Sequence, residues 1–142
     1  MPHQVSVFAE NRPGKIERIT GVLLKKNIDI RAITISDSGD YGIVKLLVDR
    51  PQEAAGLLKE EGIAATLRDI VAIRVKDKPG GLYEAASILT RSGVNVEDAY
   101  GFIVERKKDA VFVFQVEDVR KTERVLSDAG FSILTDGELY LI

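Results

Sequence analysis

The stretch Asn11-Arg12-Pro13-Gly14-Lys15-Ile16 returns 66 residues later as Asp77-Lys78-Pro79-Gly80-Gly81-Leu82. Each copy follows a short run of alternating apolar residues and precedes apolar residues at helical spacing. A strand–helix joint with Pro and then Gly at the same place in both copies indicates an internal duplication. The period is too long for a solenoid repeat and fits one small domain that is present twice.

The correspondence between the copies extends beyond this loop. Ile28-Asp29-Ile30 matches Val94-Asn95-Val96 at the same offset, and residues 41–49 match 109–117 once the offset grows to 68. A longer hairpin in the second copy accounts for that change. The duplication therefore covers nearly the whole chain.

Composition bounds the class of protein. The chain has 142 residues, 45% of them hydrophobic and 30% charged, with a formal net charge of −2. This is the profile of a globular protein, and its slight acidity argues against nucleic acid as a partner. We predict two domains, residues 1–69 and 70–142. Since one copy of about 70 residues would bury little surface alone, we expect the two to pack side by side.

Cysteine usage and the first residues bear on location. The sequence has no cysteine, which excludes disulfides, thiolate metal sites and cysteine nucleophiles. The start, Met1-Pro2-His3-Gln4, lacks the basic and apolar regions of a signal peptide, and no apolar stretch reaches the length of a membrane span. We therefore expect a cytoplasmic protein without membrane association.

Apolar periodicity predicts the element order β-α-β-β-α-β in each copy. In the first copy Val5 and Val7 share one face of a strand, and Ile19 and Leu23 lie on a helical stripe. The corresponding stripe of the second copy comprises Leu82, Ala85, Ala86 and Leu89. The fold class is therefore α+β, with two tandem ferredoxin-like domains whose antiparallel sheets carry helices on one face. The predicted strands are 4–9, 29–36, 41–48, 63–67, 71–75, 95–104, 110–116 and 131–134; helices begin at Lys15, Pro51, Leu82 and Val119; and the apolar tail 139–142 adds an edge strand or docks on a neighbour.

Four short segments in this order resemble the ACT-domain family, the small amino-acid-binding regulatory modules of metabolic enzymes. They are Glu10-Asn11-Arg12-Pro13-Gly14, Asn27-Ile28-Asp29-Ile30, Lys78-Pro79-Gly80-Gly81-Leu82 and Gly93-Val94-Asn95-Val96. The resemblance implies a non-catalytic protein without a cofactor, which senses a free amino acid and modulates a partner enzyme or its own association as a homodimer.

The resemblance also implies where the ligand lies. Members of the family hold it between two domains, with the loop of one domain facing the start of the second strand of the other. The first such site would comprise Asn11, Arg12, Pro13, Gly14 and Lys15 with Val94, Asn95 and Val96. The second, weaker half-site would comprise Asp77, Pro79, Gly80, Gly81 and Leu82 with Ile28, Asp29 and Ile30.

The two implied sites differ in charge. One pairs the amides of Asn11 and Asn95, whereas the other pairs the carboxylates of Asp77 and Asp29, which would repel each other and a ligand carboxylate. We expect the second site to be empty or to prefer an ammonium group or a cation. If each loop instead faces the strand of its own repeat, the pairs become Asn11 with Asp29 and Asp77 with Asn95.

Elementary physical chemistry supports a carboxylate-binding site at the repeated loop, but the same residues also suit purely structural roles. A helix N-terminus offers unpaired N–H groups, and Gly14 and Gly80 allow close approach of backbone to a ligand. The same glycines also suit tight turns, and Asn11 and Asp77 suit helix N-caps. Tyr83 and Tyr100 suit either a ligand pocket or packing.

Two other functions fit parts of the pattern. A dimerisation module that binds no ligand has the same fold. Acylphosphatases share the element order and use a loop Arg with an Asn, for which Arg12 and Asn27 or Asn95 are candidates. Pro13-Gly14 directly after Arg12 leaves too short a cradle for phosphate, which disfavours the hydrolase.

Overall fold

The computed structural model describes residues 2–140 and 142, which divide into two compact units. One unit is His3–Arg68, and the other is Asp69–Tyr140 with Pro2 and Ile142. Each contains the predicted βαββαβ order and one four-stranded antiparallel sheet. Within the described residues, no helix has the length and apolarity needed to cross a membrane.

In the sheet of the first unit, the strands lie side by side in the order second, third, first and fourth, and the third strand runs antiparallel to both of its neighbours. Its first helix ends at Leu24, and Asn27, three residues further on, adopts a left-handed conformation with φ 54°. The carbonyls of Lys26 and Asn27 there accept hydrogen bonds from Arg50. The elements are β1 (His3–Glu10), α1 (Lys15–Leu24), β2 (Ile30–Ser38), β3 (Tyr41–Val48), α2 (Pro51–Glu60) and β4 (Ala65–Asp69).

Both helices of this unit pack on one face of its sheet, as predicted. Val5 and Val7 of β1 lie opposite Leu46 and Val44 of β3, and all four side chains are fully buried. Ile19, Val22 and Leu23 of α1 and Ala54, Ala55 and Leu58 of α2 belong to the same cluster. The predicted stripe of α1 is therefore correct, and it places the start of α1 beside the end of β1.

The second unit repeats this strand order. Its first helix departs from the prediction, because Gly81 is buried whereas Leu82 is 42% exposed. The stripe that packs on the sheet contains Ala85 and Leu89, and Ala86 is exposed. The elements are β5 (Val71–Lys76), α3 (Gly81–Arg91), β6 (Val96–Glu105), β7 (Asp109–Val116), α4 (Val119–Asp128) and β8 (Ser132–Ile133).

The edge strand predicted for the tail is wrong at Leu139 and Tyr140, which lie in a short helix, α5 (Asp136–Tyr140). The sequence contains the signal for this helix. Thr135 Oγ1 accepts a hydrogen bond from the backbone N–H of Glu138, while the Glu138 carboxylate accepts from Thr135, which is a capping box. Leu139 is fully buried, and Leu141 lies outside the described residues.

Tyr100 lies in β6 and is half-buried. Burial raises the pKa of its phenol above the usual 10.0, and Asp98 and Tyr140 raise it further. Since the unfolded chain releases this proton first, the stability contributed by Tyr100 is present below about pH 10 and is lost as the pH rises further.

We expect the free energy of unfolding of the wild type to fall by about 1 kcal/mol more than that of Tyr100→Phe between pH 10 and pH 11. Denaturant unfolding of both proteins across this range measures the difference. Parallel pH profiles would show that Tyr100 titrates alike in the folded and unfolded chain.

Candidate ligand-binding site

The two Pro-Gly loops have nearly the same backbone conformation. Gly14 has φ 92° and ψ −9°, and Gly80 has φ 91° and ψ −9°. A Cβ at either position would meet nothing within 4 Å, so glycine is required by the left-handed backbone and not by a close neighbour. These glycines, and not Asn11 or Asp77, occupy the N-cap positions of α1 and α3, and no side chain caps either helix.

Asn11 fastens its loop to the β2–β3 hairpin of the same unit. Its Nδ2 donates to Asp37 Oδ1 and to the carbonyl of Gly39, both at 3.0 Å. Its backbone N–H donates to the backbone carbonyl of Asp40 at 2.7 Å. Its Oδ1 accepts from Lys15 Nζ at 3.0 Å. The amide that the sequence suggested for ligand contact thus holds the Lys15 ammonium in place.

Asp77 has the same fastening role in the second unit. Its Oδ2 accepts a hydrogen bond from the backbone N–H of Lys107 at 2.6 Å, and its own N–H donates to the carbonyl of Lys108 at 3.1 Å. The long-range pairing of loop and hairpin was not visible in the sequence, because the partners are about 30 residues apart and carry no shared signal.

A cavity of about 430 Å³ lies beside the first loop. Arg12, Pro13, Gly14 and Lys15, four of the five predicted loop residues, line it. Its other walls are the end of β1, Arg18 and Ile19 of α1, Tyr41 of β3 and residues 62–64. Sequence reasoning missed these walls, although Arg18 lies one helical turn from Gly14 and could have been found from that spacing.

Cations predominate around the cavity. Arg12, Lys15 and Arg18 line it together with one carboxylate, Glu10. Arg12 Nε lies 3.3 Å from Glu10 Oε2, and Arg18 donates to the carbonyl of Glu61 at 2.8 Å. The first turn of α1 adds the partial positive charge of a helix N-terminus. The lining therefore suits a carboxylate.

The corresponding positions of the second unit lack this character. In the alignment of the repeats, Lys15 and Arg18 correspond to Gly81 and Glu84, and only Lys78 remains in place of Arg12. The second loop is thus poorer in cations, while the first turn of each helix carries one carboxylate, Glu17 in α1 and Glu84 in α3. The two loops therefore differ in cationic charge, and their unequal binding stays a prediction.

The residues that we predict at the start of the second strands make contacts within their own units. Ile28, Ile30, Val94 and Val96 pack against the core of the unit to which each belongs. The Asp29 carboxylate forms an ion pair with Arg31, and the Asp29 backbone N–H donates to Asp49 Oδ1 at 3.0 Å. Asn95 is exposed. Residues 94–96 and the first cavity lie in different units, so their meeting stays a prediction.

The remaining candidates are simpler. Tyr83 is 76% exposed on α3. Among residues 2–140 and 142, no group of three His, Asp or Glu side chains is placed to hold a metal ion.

Comparison with known proteins gives the family. The sequence matches the ACT domain pair family over residues 1–142. The chain belongs to this family. ACT domains are regulatory modules, which agrees with the fold and with the resemblance of the two loops. No functionally curated protein matches the chain.

Solved structures share the fold of this ACT domain pair. Protein BT0572 from Bacteroides thetaiotaomicron is 30% identical, with a TM-score of 0.92 over 99% of this chain and 96% of that one. The ligand-free regulatory subunit of aspartate kinase from Thermus thermophilus is 19% identical, with a TM-score of 0.66 over 91% and 93%. The regulatory subunit of aspartate kinase from Thermus flavus is 17% identical, with a TM-score of 0.62 over the same shares.

Proposed function

We propose that this ACT domain pair is a non-catalytic regulatory protein that binds a free amino acid at the cavity beside the first Pro-Gly loop. The observation that carries the proposal is the cavity itself, which places three cationic side chains and a helix N-terminus around one space. Its volume of about 430 Å³ falls within the usual range for small-molecule sites.

The lining offers separate partners to the carboxylate and to the ammonium of an amino acid. The carboxylate would accept from the first N–H groups of α1 and from the Lys15 ammonium, which Asn11 orients. The ligand ammonium would pair with Glu10, whose carboxylate is 56% exposed and contacts Arg12. Residues 94–96 of the second repeat, with the Asn95 amide, would complete the site.

Regulation would follow from differential affinity for two states of the assembly. The partner is a separate enzyme, as in the regulatory subunits of aspartate kinase that share this fold, or a second copy of the chain in a cytoplasmic homodimer. The loop of the second repeat would bind more weakly because it lacks the counterparts of Lys15 and Arg18.

A thermal-shift screen against the twenty amino acids at millimolar concentration tests the proposal. A ligand at about 100 times its Kd adds roughly 2.7 kcal/mol, which raises the midpoint by several degrees. A flat panel would favour a dimerisation module without a ligand.

Asn95→Ala and Asp29→Ala are a matched pair for locating the second half of the site. We expect Asn95→Ala to erase the shift and Asp29→Ala to leave it. The reverse result would mean that the first loop works with the second strand of its own repeat.

A further inference from the structure

Two aromatic rings stand exposed at the same cavity. Phe8 and Tyr41 both line it, and their rings stack with centroids 5.0 Å apart and an interplanar angle of 17°. Phe8 is 55% exposed and Tyr41 46% exposed, although both rings are large and mostly apolar. A ligand ring placed against this pair would be removed from water and would extend the stack.

The sheet register explains how this pair reaches the cavity. Phe8 lies opposite Ile43, and Tyr41 lies opposite Glu10, so the two rings are diagonal neighbours on the face away from the helices. The cavity lies at the end of β1, next to the residues that precede β4. There the backbone N–H of Phe8 donates to the Ala64 carbonyl. One space is therefore bordered by aromatic rings and by the cationic loop.

We propose that Phe8 and Tyr41 form the side-chain subsite and that the ligand is an aromatic amino acid. This rests on the proposed function and names the substrate class for the same cavity. The cations and Glu10 account for the two charged ends common to all amino acids, and the ring pair offers a stacking surface to an aromatic ligand side chain.

The second repeat provides an internal contrast. The positions that correspond to Phe8 and Tyr41 carry Arg74 and Asp109, whose side chains form an ion pair at 3.4 Å. A charged pair offers no ring face for stacking, so the aromatic subsite is confined to the first repeat.

Calorimetric titration of the full chain with L-phenylalanine, L-threonine, L-lysine and 3-phenylpropanoate tests the proposal. We expect L-phenylalanine to bind at least about tenfold more tightly than L-threonine or L-lysine, and more tightly than the phenylpropanoate, which lacks the ammonium group. Phe8→Leu and Tyr41→Leu, which keep apolar bulk without a ring, should each lower this preference several-fold, whereas Arg74→Leu should leave it unchanged.

Each contrary result has a distinct meaning. Tighter binding of L-threonine or L-lysine, or an unchanged preference in Phe8→Leu and Tyr41→Leu, would overturn the aromatic subsite and leave the amino-acid sensor standing. Tighter binding of 3-phenylpropanoate would make the ligand an aryl carboxylate and overturn the amino-acid class. No binding of any of the four compounds would overturn the aromatic subsite, whereas the proposed function falls only if the screen of all twenty amino acids is flat as well. Circular dichroism of each variant checks that the fold is kept.

Discussion

Replacing Lys15 with Glu should weaken binding of the amino acid found in the screen by about 100-fold or more. The substitution removes a charge-assisted hydrogen bond, which contributes about 1.5–3 kcal/mol, and places a carboxylate where the ligand carboxylate lies. It also removes the hydrogen bond from Lys15 to Asn11. Isothermal titration calorimetry of wild type and variant gives the ratio of the two Kd values.

Lys26→Ala is the matched control for Lys15→Ala, since each variant removes one lysine ammonium near one end of α1. We expect Lys15→Ala to weaken binding about tenfold, and Lys26→Ala, at the far end beyond Leu24, to leave Kd unchanged. Thermal midpoints of the free proteins separate lost binding from lost folding. Wild-type affinity in Lys15→Glu would place the ligand carboxylate elsewhere.

Replacing Leu23 with Ala should lower the free energy of unfolding by about 2–5 kcal/mol. Leu23 is fully buried in the cluster formed by α1, α2 and the sheet of the first unit. Truncation removes apolar contacts and leaves a cavity that the surrounding strands fill only in part. Urea denaturation followed by circular dichroism measures the change.

The next residue supplies the control for this prediction. Leu24 is 72% exposed, so Leu24→Ala should change the free energy of unfolding by no more than about 0.5 kcal/mol. Equal losses in the two variants would mean that α1 presents a different face to its sheet. The ligand cavity would then have different walls, because the rotation of α1 about its axis also sets the positions of Arg18 and Ile19.

Periodicity predicted the architecture well because local side-chain patterns report which face of each element is buried. Val5 and Val7 alternate, Ile19 and Leu23 recur at helical spacing, and the structure buries all four. The prediction for α3 failed at Leu82, because the helix begins at the buried Gly81, where a Cβ would approach the Lys76 carbonyl to 3.0 Å. Such crowding depends on a neighbouring strand and leaves no periodic signal.

The candidate site was predictable only in part. The repeated Pro-Gly loop identified Arg12, Pro13, Gly14 and Lys15, all of which line the cavity. The aromatic wall could not be predicted, since Phe8 and Tyr41 are 33 residues apart and meet only through the pairing of β1 with β3. The role of Asn11 was hidden for the same reason, because its partners Asp37 and Gly39 lie across the hairpin.

The sequence by itself determined that one βαββαβ domain occurs twice, which residues of β1 and α1 face their core, and where the glycines between strand and helix lie. These properties are local or repetitive, and they follow from side-chain spacing and backbone sterics. Tertiary structure alone decided that Asn11 orients Lys15 and that an aromatic pair and three cations border one space. Those outcomes depend on strand register, which brings together residues that are distant along the chain.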